Sequence, residues 1–381
     1  MGVTAPLRAQ ARIDLDAITS NVRALRAAAP SADLLAVVKA DGYGHGIVQS
    51  ARAAKAGGAA WLGVAFLDEA FELRRAGVEG PLLAWLYTPQ EPLAPAVAAG
   101  IDLGVGAEWA LRHCADAARA TGVPARVHLK IDTGLSRGGA PPSDWPDLCR
   151  AAARAETEGA VRVVGVWSHL AYADAPGHPT IAAQERVFAE ALTEATAAGL
   201  RPEVRHLANS AATLTSPGAH YDLVRPGIAV YGLSPVPDVA GPEVYGLRPA
   251  MTFAVRVALS KTVPAGSGVS YAHRYVTAGR TRLALVPVGY ADGVPRTATN
   301  TGPLLLGGRR RTISGTVCMD QFVVDVGDDP VHDGDEALLF GPGDAGEPTA
   351  QEWAELVGTI SYEIVSRVGA RVPRTYTGTS T

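Results

Sequence analysis

The sequence predicts an α/β fold with an added β domain: an N-terminal (β/α)8 barrel of the TIM type, followed by a mainly β C-terminal domain. The chain has 381 residues, which exceeds the usual size of a single domain. As far as Gly232, short apolar runs of strand length alternate with segments of helical periodicity, a pattern typical of parallel βα units. After Gly232 helical segments become rare and β-branched runs follow one another, so a second, β-rich domain is expected.

The first part of the chain contains eight apolar runs, the number of strands in such a barrel. The runs are continuously apolar rather than alternating, as expected for parallel strands buried on both faces. Segments such as LDEAFELRRAG and AEWALRHCADAARATG have the periodicity of the intervening helices. We therefore assign residues 12–240 to the barrel domain. The predicted strands are LLAVVKA, WLGVA, PLLAWLY, IDLGV, RVHLKID, VRVVGVWSHL, VRHLAN and LVRPGIAVYG.

Residues 241–381 form the predicted second domain, and the boundary falls within the Pro- and Gly-rich segment SPVPDVAGPEVYG. Its strand candidates include MTFAVRVALSKTV, TRLALVPVGYA, RRTISGTV, FVVDVG and EALLF. One late helix, TAQEWAELVG, has Thr349 as its expected N-cap. Residues 1–11 are expected to pair with this domain, and the final TGTST is expected to fray.

Composition and charge narrow the class of protein. The formal net charge is -4 and the only dense basic run is RRR at 309–311, so no nucleic-acid partner is indicated. No apolar run approaches the ~20 residues of a membrane-spanning helix, and the N-terminus lacks the apolar core of a secretory signal. We therefore expect a cytoplasmic protein with no membrane partner. Cys114, Cys149 and Cys318 have no CxxC spacing, which argues against a disulfide framework or a zinc site, and no metal is expected.

Polar side chains recur where the predicted barrel strands end. In a barrel of this kind the carboxyl ends of the strands line the active site, so these side chains are expected to share one mouth. Lys39 ends the first strand within KADGYGHG, whose glycines permit a sharp turn that brings Tyr43 near the lysine. The other members of the set are Trp85, Lys130, Arg137, His169, Asn209, Ser210 and Arg225.

This set indicates a site for pyridoxal 5′-phosphate (PLP). The segments ANSAAT and RPGIAVYG supply a hydroxyl, backbone N–H groups and the start of a short helix, at the loops where such barrels commonly bind phosphate. The Lys39 amine would take the aldehyde of the cofactor. Arg225 is the candidate partner of the pyridine nitrogen, and because arginine only donates hydrogen bonds it would leave that nitrogen unprotonated. A weakened electron sink suits a reaction that only removes and returns one α-proton.

Nine segments, taken in order, resemble the motif series of the alanine racemase family: AVVKADGYGHG, HLKIDTGLSRGG, SHLAYAD, ANSAA, VRPGIAVYG, VSYAHRY, PVGYADGVPR, TVCMDQ and ISYEI. The likeness extends from residue 11 to residue 376. It implies a PLP-dependent amino-acid racemase, an isomerase that interconverts L-alanine and D-alanine and supplies D-alanine for peptidoglycan. It also implies a homodimer with active sites shared across the interface.

The resemblance assigns catalysis to two residues. Lys39 would bind PLP and act as the base for D-alanine, while Tyr271 from the other subunit would act as the base for L-alanine. Racemisation requires two such groups, because one side chain cannot readily serve both faces of a planar carbanion.

The resemblance also implies roles for the residues around these two. Arg225 would meet the ring nitrogen, and Arg137 would meet the cofactor phenolate and the substrate carboxylate. Lys130 matches a position that is often carbamylated and then orients Arg137, and His169 would hydrogen-bond the catalytic tyrosine. Tyr43, Ser210, Tyr362 and the backbone of Gly227 and Ile228 would bind the phosphate, and Trp85 and Asn209 complete the predicted cofactor site. The backbone of Met319 and Asp320 would hold the substrate carboxylate, and Tyr290 would stand at the entrance.

One departure from the family pattern lies beside the tyrosine. After VSY the family commonly has Gly, a variable residue and Thr-Tyr, whereas this chain has Ala272, His273, Arg274 and Tyr275. Other functions remain as alternatives: a broad-specificity or serine-tolerant racemase, a PLP-dependent decarboxylase of basic amino acids, and a non-catalytic PLP carrier. A decarboxylase would place a carboxylate at the ring nitrogen, and a carrier would end near Gly232, so the sequence disfavours both.

Overall fold

A computed structural model describes residues 7–378, and within that range the predicted fold class is confirmed. Eight parallel strands with surrounding helices form a nearly closed barrel, and a mostly β domain follows. The expectations for residues 1–6 and 379–381 lie outside the described residues. No helix within residues 7–378 is long and apolar enough to cross a membrane.

The barrel strands follow one another around the sheet in nearly sequential order, from β8 back to β2 and then β9. Because all of them are parallel, their carboxyl ends meet at one mouth. The strands are β2 (Asp33–Val37), β3 (Trp61–Val64), β4 (Leu82–Ala84), β5 (Asp102–Val105), β6 (Ala125–Lys130), β7 (Val161–Trp167), β8 (Val204–His206) and β9 (Leu223–Val224).

Hydrogen bonds bridge the seam between β8 and β9. The backbone N–H of Asp222 donates to Arg205 O at 3.1 Å, and that of Arg225 donates to Ala208 O at 2.9 Å. The predicted eighth strand, LVRPGIAVYG, was too long: it ends at Val224, and a 3-10 helix covers Ile228–Tyr231. Pro226 explains the early end, because it has no N–H to donate to a ladder.

Nine segments are described as α-helices before the second domain, and the first of them has a capped N-terminus. Asp14 accepts a hydrogen bond from Ala17 N at 3.0 Å and so starts α1, whose Ile18, Val22 and Leu25 are buried. Each such apolar side chain stabilises the fold by roughly 1.5–3 kcal/mol when fully buried. The helices are α1 (Leu15–Ala28), α2 (Lys39–Tyr43), α3 (Ile47–Ala56), α4 (Leu67–Arg75), α5 (Ala94–Ala98), α6 (Glu108–Thr121), α7 (Trp145–Thr157), α8 (Pro179–Ala197) and α9 (Ser210–Thr215).

The second domain contains a six-stranded sheet, a three-stranded sheet and a short hairpin. Thr349 caps its first helix as predicted, accepting from Glu352 N at 3.1 Å while Glu352 accepts from Thr349 N at 2.6 Å. Its elements are β10 (Met251–Arg256), β11 (Leu259–Val263), β12 (Gly268–Val269), β13 (Tyr275–Val276), β14 (Thr281–Val286), β15 (Pro303–Leu306), β16 (Arg309–Thr312), β17 (Phe322–Gly327), β18 (Glu336–Phe340), α10 (Ala350–Val357), α11 (Ser361–Ser366) and β19 (Arg374–Thr377).

The first strand of the chain, β1 (Ala9–Asp14), belongs to the six-stranded sheet of the second domain. It pairs antiparallel with β10 and parallel with β19, so it lies across the predicted domain boundary at residues 11 and 12. Thr377 was predicted to fray, but it is the last residue of β19 and pairs with Asp14. The first and last strands within residues 7–378 are therefore neighbours in one sheet.

Candidate active site

The mouth of the barrel encloses a cavity of about 230 Å³. It brings together every barrel residue that the sequence assigned to the site, along with Tyr362 from α11 of the second domain. Val37 and Trp167 also line it, although neither was predicted as a site residue from the sequence. The lining residues are Val37, Lys39, Tyr43, Trp85, Lys130, Arg137, Trp167, His169, Asn209, Ser210, Arg225, Gly227, Ile228 and Tyr362.

Lys39 lies just beyond the end of β2, and the short segment α2 that it begins is a turn of left-handed backbone rather than a regular α-helix. Ala40, Asp41 and Tyr43 all have φ near +53°, a left-handed conformation that costs non-glycine residues about 1–2 kcal/mol each. Asp41 stabilises the turn by accepting from Ile47 N at 2.9 Å. Glu69 accepts from Ala40 N at 2.5 Å. Strain of this kind is typical of functional sites.

The environment of Lys39 favours its neutral form. Burial lowers the pKa of the Lys39 ammonium, the charge of Arg137 lowers it further, and Glu69 partly opposes both. A neutral amine is the form that attacks a carbonyl or takes a proton. Glu69 was not singled out from the sequence, because its role depends on a backbone contact across the barrel mouth.

One end of the cavity is suited to an anion. Ser210 Oγ accepts from Gly227 N at 2.7 Å, and a Cβ on Gly227 would lie 2.2 Å from the Tyr43 hydroxyl oxygen, so only glycine fits there. Burial raises the pKa of Tyr43, and the charge of Tyr362 adds to the effect. Burial likewise raises the pKa of Tyr362. Both phenols therefore stay protonated and can donate to a phosphate.

Arg225 lies at another side of the cavity and is held by its neighbours. Its Nη2 donates to Ser168 O at 2.7 Å and approaches His169 Nδ1 at 3.3 Å, while Nη1 approaches His206 Nδ1 at 3.2 Å. Burial and the surrounding cations, Arg225 first among them, hold the pKa of His169 well below its ordinary value. His169 is therefore neutral, and with Nδ1 accepting from the guanidinium its other nitrogen, Nε2, carries the proton.

Lys130 lies among cations rather than opposite an anion. Its Nζ is 4.3 Å from the centroid of the Trp167 ring, and burial followed by the charges of Arg225 and Arg137 lowers the pKa of Lys130 to about 8. Asp132, the nearby carboxylate, accepts from three backbone N–H groups of the loop that leads to Arg137, at residues 134, 135 and 136. The carboxylate thus orders the loop instead of pairing with the lysine.

Four predicted site residues do not line this cavity. Tyr271, Tyr290, Met319 and Asp320 lie together on the second domain, and we call them the C-terminal patch. Tyr290 N donates to Cys318 O at 3.0 Å. Their exposed fractions are 72% for Tyr271, 43% for Tyr290 and 53% for Met319, and Asp320 is exposed as well. Large apolar side chains left so exposed are typical of a surface that another chain covers.

The loop that carries Tyr271 is tightly folded. Ser270, Ala272 and His273 have φ of +60°, +59° and +43°, and the Thr316 hydroxyl donates to Tyr271 O at 2.8 Å. Ala272 thus occupies a left-handed position that glycine would adopt without cost, and this is where the chain departs from the family pattern. The loop gives up roughly 1 kcal/mol to keep alanine there.

Comparisons with known proteins agree with this architecture. The chain matches the family model described as "Alanine racemase, N-terminal domain" over residues 13–235, and "Alanine racemase, C-terminal domain" over residues 250–376. It is 64% identical to the alanine racemase of Frankia casuarinae, covering 97% of this chain and 96% of that protein. It is 59% identical to the alanine racemase of Streptomyces coelicolor, and the match covers 98% of this chain and 96% of that protein.

Solved structures of alanine racemases also match this chain over almost its whole length. The crystal structure of alanine racemase from D-cycloserine-producing Streptomyces lavendulae superposes with a TM-score of 0.97 at 55% identity, covering 99% of this chain and 98% of that one. The crystal structure of the biosynthetic alanine racemase from Pseudomonas aeruginosa superposes with a TM-score of 0.85 at 36% identity. The match covers 98% of this chain and 100% of that one.

Proposed function

Because this chain belongs to the alanine racemase family of isomerases, we propose that it interconverts L-alanine and D-alanine with PLP as cofactor and with Lys39 and Tyr271 as opposing bases. The observation that carries the proposal is a partly buried lysine of lowered pKa in one cavity with protonated phenols, a serine hydroxyl and a buried guanidinium. The D-alanine formed would supply peptidoglycan synthesis in the cytoplasm.

The residues of the cavity fit PLP. The amine of Lys39 matches an aldehyde, and the donors around Gly227, including the hydroxyls of Tyr43 and Tyr362, match a phosphate. A Cβ on Gly227 would fill part of that space. Arg225 offers only donors to a ring nitrogen. When bound, PLP withdraws electrons from an amino acid joined to it and so makes the α-proton acidic.

Each base would serve one face of the substrate. Neutral Lys39 would take the α-proton of D-alanine and return it from the same face, while Tyr271 would do the same for L-alanine. His169 supports this division, because its Nε2–H is free to donate toward the phenol oxygen once Nδ1 accepts from Arg225. The donation would stabilise Tyr271 as a phenolate.

Tyr271 would reach the cavity from another copy of the chain. The exposed C-terminal patch and the buried cavity lie apart on one chain, and a two-fold dimer would present the patch of each copy to the cavity of the other. The backbone of Met319 and Asp320 would then hold the substrate carboxylate together with Arg137, and Tyr290 would narrow the entrance.

Lys130 is proposed to carry a carbamate. Its neutral amine would add to CO2, forming an N–C bond and releasing one proton to solvent, and the new carboxylate would lie beside Arg137 and Arg225. The lowered pKa of about 8 makes the neutral amine accessible, and an anion among these cations would relieve their mutual repulsion. Oriented by that carboxylate, Arg137 would face the substrate.

The test is chiral chromatography of the PLP-loaded protein with L-alanine in deuterated water. We expect D-alanine carrying deuterium at Cα, since the returned proton comes from solvent. A matched reaction with L-serine measures how far the pocket discriminates against one added hydroxyl. Unchanged L-alanine beside a protein that binds PLP would refute the racemase and favour a carrier.

A further inference from the structure

A line of buried polar side chains crosses the barrel from its closed end to the mouth. It consists of Asp102, the first residue of β5, His128 within β6, His206 at the end of β8, and Arg225 just after β9. All four are buried. The interior of such a barrel is normally filled with branched apolar side chains, so an unbroken polar line calls for a physical reason.

The contacts along the line are of hydrogen-bond length. Asp102 Oδ2 lies 3.2 Å from His128 Nε2. His128 Nδ1 lies 2.9 Å from His206 Nε2, and His206 Nδ1 lies 3.2 Å from Arg225 Nη1.

Chemistry fixes the direction in which the protons point. Arginine only donates and a carboxylate only accepts, so His206 accepts from Arg225 at Nδ1 and donates from Nε2 to His128. His128 in turn accepts at Nδ1 and donates from Nε2 to Asp102. Both imidazoles are thereby neutral Nε2–H tautomers. In agreement, burial and then the charge of Arg225 lower the pKa of His206 well below its ordinary value.

The surrounding chain is shaped to admit this line. A Cβ on Gly165 would lie 2.3 Å from His128 Nδ1, so the glycine makes room for the ring. Trp167 stacks on His206, with ring centroids 5.5 Å apart and planes within 6°. Two neighbours in β7 thus hold the two imidazoles in place.

Asp102 is fixed as an acceptor at the far end. Arg126 Nε donates to Asp102 Oδ1 at 2.7 Å, and Arg126 Nη2 donates to Oδ2 at 3.2 Å. Burial would raise the pKa of Asp102, but the hydrogen bond from His128, followed by the hydrogen bonds and charge of Arg126, outweighs it and holds that pKa below its ordinary value. The line therefore begins at a carboxylate that is ionised at neutral pH.

We propose that Asp102 is a positioning residue that, through His128 and His206, sets the orientation of the Arg225 guanidinium in the cavity. The carboxylate sets the tautomer of His128, which sets that of His206, and His206 Nδ1 then holds Nη1 of Arg225. The proposal rests on the proposed function only for what Arg225 faces in the cavity. The tautomers themselves do not depend on it.

Replacing Asp102 by asparagine conflicts with this order. If the amide oxygen stays with Arg126, the NH2 group faces His128 Nε2, and the proton of His128 must move to Nδ1. His206 would then have to carry its proton at Nδ1, where it would oppose an N–H of Arg225. The guanidinium would have to move away.

The test uses ¹⁵N NMR of [¹⁵N]histidine-labelled, PLP-loaded protein, which distinguishes Nδ1–H, Nε2–H and doubly protonated rings. In the wild type, His128 and His206 should both be neutral Nε2–H, assigned by loss of their signals in His128→Gln and His206→Gln. Any other state of either ring overturns the proposal without need of a further variant. In Asp102→Asn at least one of the two rings should change tautomer.

Kinetics provide the second arm. Asp102→Asn should lower kcat roughly 10- to 100-fold, as expected for losing a charge-assisted hydrogen bond, with KM for alanine little changed. Asp102→Glu, which restores a carboxylate, should recover part of kcat. Arg162→Gln is the matched control, because Arg162 pairs with Glu203 at the same end of the barrel and lies outside the line.

The two arms separate the possible failures. Unchanged tautomers in Asp102→Asn, or changed tautomers with wild-type kcat, would overturn the positioning role. An inactive wild type with the expected tautomers would instead refute the proposed function while leaving the tautomer order intact.

Discussion

The barrel mouth and the C-terminal patch differ in how far their polar side chains are exposed to solvent. In the mouth, Arg225 is 5% exposed and makes hydrogen bonds with Ser168 and His206, whereas Tyr271 on the patch is 72% exposed. The mouth is pre-organised by the fold of one chain. We propose that the patch completes a site only when a second copy of the chain covers it, so that folding supplies the residues of the mouth and dimer assembly supplies Tyr271.

The largest expected effect comes from the mouth. Lys39→Ala should lower racemisation by roughly 10⁴-fold or more, because it removes the proposed base, which is also the amine proposed to take the cofactor. It should also abolish the visible absorbance that PLP acquires on joining the lysine. Initial rates and absorbance spectra measure both. The exposed Lys261 offers a matched control, and Lys261→Ala should match the wild type. Wild-type absorbance in Lys39→Ala would place the cofactor elsewhere.

On the patch, Tyr271→Phe should keep the absorbance and lower racemisation about 10²- to 10⁴-fold. The loss must be equal in both directions, because the equilibrium constant between enantiomers is fixed. Exchange of the α-proton with solvent separates the faces: D-alanine should still exchange with retention through Lys39, whereas exchange of L-alanine should be lost. Deuterium incorporation by mass spectrometry measures this.

Tyr245→Phe, on a half-buried tyrosine away from the patch, controls for loss of a phenol hydroxyl. Equal loss of exchange from both enantiomers in Tyr271→Phe would contradict the assignment of one base to each face.

A smaller effect is expected at Lys130, which lies in the mouth and is proposed to act through Arg137. With a pKa of about 8, the amine is mostly protonated below that pH and mostly neutral above it. Carbamate formation at fixed dissolved CO2 should therefore rise as pH increases through about 8. ¹³C NMR with labelled CO2 detects the adduct, which should be absent in Lys130→Ala.

Lys130→Ala should also lower kcat/KM roughly tenfold, since Arg137 would lose one charge-assisted partner. A ¹³C-labelled adduct that persists in Lys130→Ala would show that the carbamate is not on Lys130. A wild-type protein that takes up no ¹³C label at high pH would refute carbamate formation.

The fold and the contents of the mouth could be predicted because they depend on local patterns. The eight apolar runs predicted the strands of the barrel. Residues that follow parallel strands necessarily lie together at the carboxyl end of the sheet. The end of the eighth strand was wrong because LVRPGIAVYG was treated as uniformly apolar although Pro226 cannot donate to a ladder.

The buried polar line from Asp102 to His206 was not predicted from the sequence, and the reason is different. His128 stands in RVHLKID and His206 in VRHLAN, and each taken alone resembles an ordinary polar interruption of a strand. Only the three-dimensional pairing of strands brings them to 2.9 Å. The place of Tyr271 relative to the cavity could not be derived either, because spacing along a chain does not distinguish a neighbouring domain from a neighbouring subunit.

The central claim, that mouth and patch meet across a dimer, is tested most directly with heterodimers purified through two different tags. A heterodimer of Lys39→Ala with Tyr271→Phe should contain one fully intact site and retain about half of the wild-type rate. The two-fold axis would pair the intact mouth of one copy with the intact patch of the other. The matched heterodimer of the wild type with a chain carrying both substitutions should be almost inactive. The reverse pattern, an inactive first heterodimer and a half-active second, would show that each chain completes its own site and would contradict the account.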